Sequence, residues 1–199
     1  MNDPPRDMLY VKSGLDSVSP EDLARDMARL PQWRREKSMS YKPFHMQVEC
    51  TASYLLLCEG LVREYGIDFM PVFAIDAHGK PSLPELPDVH FNISHCSLAA
   101  ACVIDSCPVG VDVEVCGRFK ESLARYCMNA SELDSILSRP DPDLAFTELW
   151  TQKEAVCKLL GTGITENLRD ILLPQNTAGM CIKTELYDGF VVSVAKKEE

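Results

Sequence analysis

Val109-Gly110-Val111-Asp112-Val113-Glu114-Val115 reads as a β-strand, because its valines alternate to one face and leave Gly110, Asp112 and Glu114 on the other. Two carboxylates about 7 Å apart on one strand face repel each other, so their pairing calls for a compensating cation. Hard oxygen ligands suit Mg²⁺, which keeps several waters and bridges to phosphates. Read alone, the stretch is equally an exposed strand face on which acids alternate with valines for solubility. Downstream, Asp143 to Leu160 has the apolar spacing of a strong helix, capped at its start by Asp143 and ended by Gly161. Strands and helices are mixed without strict βαβ alternation, and the fold class expected is α+β.

Outward from that centre, Met8 to Val11 reads as a short first strand. Ser19 and Pro20 start a helix that runs to about Leu30 and stops at Pro31. Arg34-Arg35-Glu36-Lys37, followed by Lys42, is the densest basic stretch. Gln47 to Tyr65 forms a long helix with a buried stripe and Gly66 as its stop. Residues 76–90, rich in Asp, Gly, Pro and His, are loop. Phe91 to Ile93 and Leu98 to Ile104 are strands, and Arg118 to Cys127 and Ser131 to Leu137 are short helices. Met180 to Leu186 and Phe190 to Ala195 flank Asp188-Gly189, a hairpin signal.

Composition narrows the class. The 199 residues are 46% hydrophobic and 25% charged, enough for a proper core and unlike a disordered or fibrous chain. Net charge is −10, the reverse of a nucleic-acid binder's basic excess. Residues 1–106 carry 10 Lys/Arg and 15 Asp/Glu, and residues 107–199 carry the same, so neither half is a charged tail. The nine cysteines are odd in number and without C-x-x-C spacing, which fits free thiols in a reducing compartment. MNDPPRDMLY has prolines and acids where a secretory leader needs a basic patch and an apolar core. The longest apolar run, Leu98 to Ile104, is far too short to span a bilayer. A cytoplasmic protein is expected.

Two further motifs carry chemistry. In Trp150-Thr151-Gln152-Lys153-Glu154-Ala155-Val156-Cys157-Lys158-Leu159-Leu160-Gly161-Thr162-Gly163, Trp150, Glu154 and Lys158 share a helix face. A carboxylate there suits a metal ligand or proton acceptor, and a lysine one turn on suits a phosphate oxygen. An ordinary Glu–Lys surface pair with Trp150 as a core anchor accounts for the same pattern. In Phe91-Asn92-Ile93-Ser94-His95, adjacent Ser and His do not make a nucleophile–base pair, so phosphate donors or a satisfied structural turn remain.

Together, F-N-I-S-H, V-G-V-D-V-E beginning 18 residues later, and W-T-Q-K-E-A-V-C-K-L-L-G-T-G some 40 residues on resemble the 4′-phosphopantetheinyl transferases. The larger, surfactin-synthetase-activating type is the one matched, since about 100 residues precede the D-x-E strand. The loop His78-Gly79-Lys80-Pro81 fits as well. The resemblance implies a pseudo-twofold architecture: an N-terminal half over 1–106 that binds coenzyme A and a C-terminal half over 107–199 with the metal and catalytic motifs. It implies Mg²⁺ on Asp112, Glu114 and Glu154, Lys158 at a phosphate near the leaving group, and Ser94 and His95 at the nucleotide end. Gly79 and Lys80 are expected along the adenosine, and Arg34 and Lys37 at the 3′-phosphate, with a further hydroxyl from Thr51 or Ser53. Asp112, Glu154 and Lys158 form the catalytic set.

The implied activity is Mg²⁺-dependent transfer of phosphopantetheine from coenzyme A to a serine of an acyl or peptidyl carrier protein by a monomeric enzyme, with no nucleic acid or membrane involved. The alternatives are a coenzyme-A-dependent acyltransferase, which leaves three carboxylates unexplained, and a non-catalytic carrier-binding module. Phe119, Leu123 and Tyr126 form a helical stripe beside Arg118, Lys120 and Arg125, a candidate carrier-docking patch, although Leu123 itself is expected to face the core.

Overall fold

A computed structural model of the chain describes residues 8–77, 79–163 and 167–198. His78, part of the loop quoted above, lies outside them. The elements run β1 (Met8–Ser13), α1 (Pro20–Ala28), α2 (Gln32–Met39), α3 (Phe44–Tyr65), β2 (Ala74–Ile75), β3 (Pro81–Ser82), β4 (His90–His95), β5 (Ala99–Asp105) and β6 (Val109–Val115). They continue with α4 (Glu121–Cys127), α5 (Ala130–Ser138), α6 (Pro142–Leu160), β7 (Met180–Leu186) and β8 (Phe190–Lys197). The fold is α+β, as the mixed pattern implied.

Two antiparallel three-stranded sheets, ordered β1-β5-β4 and β6-β8-β7, repeat one topology. In each, a strand is followed by helices, and a closing hairpin then inserts its second strand in the centre. The valine face of β6 does what its alternation requires. Val109, Val111 and Val113 pack with Val192 and Val194 of β8 and with Ala99, Ala101 and Val103 of β5, so the sheets share an apolar seam. The other face of the first sheet is covered by α3, where Leu56, Leu57 and Leu61 meet Cys102 and Ile104. The other face of the second is covered by α6 through Ala155, Val156 and Leu159.

Gly110 decides how closely α6 approaches. A Cβ there would lie 2.2 Å from the Ala155 carbonyl oxygen and 2.4 Å from the Leu159 amide nitrogen, so any larger residue pushes the helix off the strand. Gly161 ends α6 with φ 70°, the left-handed conformation that glycine adopts without steric cost.

The start of α6 differs from expectation. Asp141, not Asp143, is the cap: its Oδ1 accepts the Leu144 N–H at 3.0 Å, and Pro142 takes the first helical position. Asp143 turns outward and accepts the Phe119 N–H at 2.8 Å together with the Gly117 N–H, tying the turn after β6 to the helix. Either acid satisfies the sequence rule, and the turn after β6 claims one of them.

The basic stretch at 34–37 is part of α2, a helix that the sequence reading did not assign. Short strands β2 and β3 pair within and beside the 76–90 loop. Leu123, expected in the core, is 41% exposed, and Tyr126 beside it is 70% exposed. Helix α4 is only seven residues long, and it buries Ala124 and Cys127 instead.

Candidate active site

The site forms where the edge strands β4 and β6 of the two sheets meet. The two strands belong to different sheets, and side chains bridge them. Asn92 Oδ1 accepts the Val111 N–H at 3.0 Å, and Ser94 Oγ accepts the Val113 N–H at 3.3 Å. Asn92 and Ser94 lie on one face of β4 because they are two residues apart. Both are buried, and they supply acceptors to strand amides that would otherwise be left unpaired.

Ser94 is also the hub of a charged cluster. Its hydroxyl donates to Asp112 Oδ1 at 2.9 Å, and Lys158 Nζ donates to Ser94 Oγ at 2.8 Å and to Asp112 Oδ1 at 2.7 Å. The compensating cation that the D-x-E face requires is thus supplied by α6. Asp112 Oδ2 is buried without a hydrogen-bond partner among the described residues. Glu114, two residues on, is held by Arg118 Nη1 at 2.6 Å. Burial raises the Glu114 carboxyl above its ordinary value, and the neighbouring Asp112 raises it further, against Arg118 and Lys158.

Glu154 stands one helical turn before Lys158, as the i, i+4 spacing predicts. Its carboxyl is pushed up to about 7, first by burial and then by repulsion from Asp112 and Glu114. Asp112, Glu114 and Glu154 therefore feel one another's charge. Among the described residues no three His, Cys, Asp or Glu side chains stand together as a metal site; Lys158 and Arg118 pair with two of these acids instead. The donor set nevertheless fits a hard divalent cation. A buried carboxylate oxygen lacks a partner among the described residues, and an adjacent acid is pushed up by burial and by repulsion that a cation would relieve.

The cleft has a volume of about 440 Å³ and is lined by Arg34, Ser53, Ser94, His95, Asp112, Glu114, Glu154 and Lys158. Arg34 is buried between the rings of Tyr54 and Phe73, 5.2 and 5.7 Å from their centroids, and its Nη2 donates to the Cys50 carbonyl at 2.9 Å. Lys37 is exposed, with its ammonium 5.1 Å from the centroid of Tyr41, another residue of the cleft wall. Of the two candidate hydroxyls on α3, Ser53 lines the cleft. Thr51 is buried against Ser38, 2.8 Å away.

Gly79 and Lys80 border an adjoining cavity of about 350 Å³ with Glu154, Lys158 and Gly161. Lys80 Nζ donates to the carbonyls of Lys158 and Leu159 at 2.7 and 2.9 Å, so it binds the end of α6. A second, more apolar cavity of about 450 Å³ begins at Glu114 and is lined by Arg118, Lys120, Leu123, Phe146 and Trp150. Trp150 stacks on Phe146 with centroids 6.3 Å apart, half-buried at this wall rather than sealed in the core.

One residue escaped the sequence reading. Glu49 is buried on α3, and its Oε2 lies 3.0 Å from His95 Nδ1. An acid inside the apolar run of a buried helix is the signal that marks it.

The model of the 4′-phosphopantetheinyl transferase superfamily matches residues 108–195, the span that carries β6 and α6. The 4′-phosphopantetheinyl transferase Sfp of Bacillus subtilis is 31% identical over 156 residues, covering 74% of this chain and 67% of the relative. A second Bacillus subtilis 4′-phosphopantetheinyl transferase is 30% identical over 176 residues, covering 87% and 77%. The chain belongs to the 4′-phosphopantetheinyl transferase superfamily. Within it, the similarity is to the larger, Sfp-like type. The L-aminoadipate-semialdehyde dehydrogenase-phosphopantetheinyl transferase of Saccharomyces cerevisiae, 28% identical over 174 residues, covers 78% of this chain and 64% of the relative.

Proposed function

We propose that this protein transfers 4′-phosphopantetheine from coenzyme A to a serine hydroxyl of an acyl or peptidyl carrier protein. The observation that carries the reading is the cluster at Asp112, where Lys158 and Ser94 converge on one carboxylate oxygen, the other is buried without a partner among the described residues, and Glu154 is lifted to about 7 beside them. Residues 1–106 and 107–199 act as two halves in this reading, with coenzyme A in the cleft between them.

Asp112, Glu114 and Glu154 would hold Mg²⁺, which when bound neutralises pyrophosphate charge. Arg34 and Lys37 bind the 3′-phosphate, Ser94 and His95 the nucleotide end, and Gly79 and Lys80 border the adenosine. The serine oxygen attacks the phosphorus that bears the pantetheine arm, and the bond to the leaving adenosine 3′,5′-bisphosphate breaks. Glu154 is the carboxylate placed to take the serine proton. Lys158 stabilises the charge that builds on the leaving phosphate. Positioning and electrostatics do most of the work, and no covalent enzyme intermediate is needed.

The apolar cavity beyond Glu114, with its basic rim, supports entry of the carrier from that side. Nine free cysteines support a reducing, cytoplasmic setting, and no helix among the described residues is long and apolar enough to cross a membrane. A monomer fits a cleft built within one chain. Intact mass spectrometry of apo-carrier proteins incubated with coenzyme A and Mg²⁺ tests the reading. A mass gain of one phosphopantetheine, abolished by EDTA, is expected. With acyl-coenzyme A as the donor, a mass gain of the acyl group alone that survives EDTA would point to an acyltransferase instead.

A further inference from the structure

Glu49 is an anomaly in the cleft. A carboxylate buried on a helix is costly unless paired, and one beside a site for an anionic substrate should repel that substrate. The partner it has among the described residues is His95, whose Nδ1 lies 3.0 Å from Glu49 Oε2. His95 sits at the end of β4, directly after Ser94, and lines the cleft.

We infer that Glu49 is a positioning residue for coenzyme A: its carboxylate, 3.0 Å from His95 Nδ1, accepts the Nδ1 proton and fixes the ring, so that the protonated ring has its Nε2–H left to donate to a phosphate. The inference rests on the coenzyme A reading of the cleft. Several charged groups face His95. Glu49 comes from α3, Arg34 from α2, and Lys158 from α6; Asp112 and Glu114 of β6 and Glu154 of α6 line the same cleft. Loss of water around the ring draws the imidazole below its ordinary value, and Lys158 and Arg34 add to the lowering; Glu49 opposes them. Without Glu49, the opposition to the two cations and to the loss of water is weakened, and the ring takes up a proton beside the anion less readily.

The sign of this effect makes it testable. If Glu49 acted on the phosphate directly, removing its charge would tighten coenzyme A binding. Acting through His95, its removal weakens binding. Coenzyme A affinity is measured by calorimetry between about pH 6 and pH 8.5 for the parent, Glu49→Gln, His95→Gln and the double variant, and His95 is followed by NMR in the ligand-free proteins. Glu49→Gln is expected to weaken coenzyme A about fivefold, the share of one partly exposed charge pair. It should also move the His95 titration to lower pH. In the His95→Gln background the same change should leave affinity unchanged or improve it.

Glu49→Asp retracts the charge by one methylene; if Glu49→Gln does not fold, it should weaken binding in the same direction. Tighter coenzyme A binding by Glu49→Gln with His95 present overturns the inference. So does a His95 titration that ignores Glu49. Absence of coenzyme A binding by the parent protein, with the His95 shift intact, instead overturns the reading of the cleft.

Discussion

Lys158 Nζ lies 2.7 Å from Asp112 Oδ1, although the two residues are 46 positions apart in the chain. The pair joins the acid face of β6 to the C-terminal end of α6. Asp112 is nearly buried, whereas Lys158 keeps about a third of its side chain in solvent (6% and 29%). That asymmetry suits a lysine that holds the acid at rest and can turn toward a phosphate when substrate arrives.

If Lys158 acts on the leaving phosphate, Lys158→Ala lowers kcat far more than it raises the coenzyme A KM, because the contact strengthens as charge develops. A raised KM with unchanged kcat assigns the lysine to ground-state binding. The same variant leaves Asp112 with Ser94 but without its cation, so the metal-free protein loses about 1–2 kcal/mol of stability, less than a fully buried pair would cost. Added Mg²⁺ is expected to restore part of its melting temperature.

Glu154 sets a pH dependence. Its folded pKa of about 7 stands above the ordinary 4.5, so the folded state holds its proton more tightly than the unfolded chain does. This group's contribution therefore favours the fold at low pH and is progressively lost as pH rises from 4.5 to about 7. Thermal melts of the metal-free protein should show that slope, and Glu154→Gln should flatten it. Because a divalent cation must displace the proton, the rise in melting temperature caused by Mg²⁺ should grow between about pH 6 and pH 8, and should lose that growth in Glu154→Gln.

Gly110→Ala tests the close approach of α6. A methyl group aimed at backbone atoms of Ala155 and Leu159 has nowhere to go. The expected cost is roughly 3 kcal/mol, about 10 °C in melting temperature for a chain of this size. A melt within a degree or two of the parent would show that the strand and helix are less tightly set.

Lys80→Met separates two roles for one lysine. Its ammonium binds the carbonyls of Lys158 and Leu159, so its loss should speed amide hydrogen exchange in the last turn of α6 and lower kcat by loosening Lys158. A raised coenzyme A KM with unchanged exchange would instead place Lys80 on the substrate.

Leu123 and Tyr126 are exposed beside Arg125, which pairs with Glu121. Carrier domains are typically acidic helical bundles, so Arg125→Glu should raise the carrier KM more at low salt than at high, while coenzyme A binding is unchanged. Tyr126→Ala should raise the carrier KM with little salt dependence. Equal carrier kinetics in both variants would move the docking surface elsewhere.

The sequence by itself determined most of the elements and, for the strand and helix that carry the acids, their faces. Alternating valines specify β6, its buried side and the shared side of Gly110, Asp112 and Glu114, because strand periodicity is local. Helical spacing places Glu154 and Lys158 on one face of α6 for the same reason. Partners are not local. That Ser94 mends the edge of β6 while binding Asp112, that Lys158 supplies the cation for that acid, and that Glu49 serves His95 all depend on how two sheets and two long helices meet. The choice of Asp141 over Asp143 as helix cap and the exposure of Leu123 have the same origin. In each case several residues satisfied the local rule, and the tertiary packing decided which buried polar groups found partners and which apolar groups met solvent.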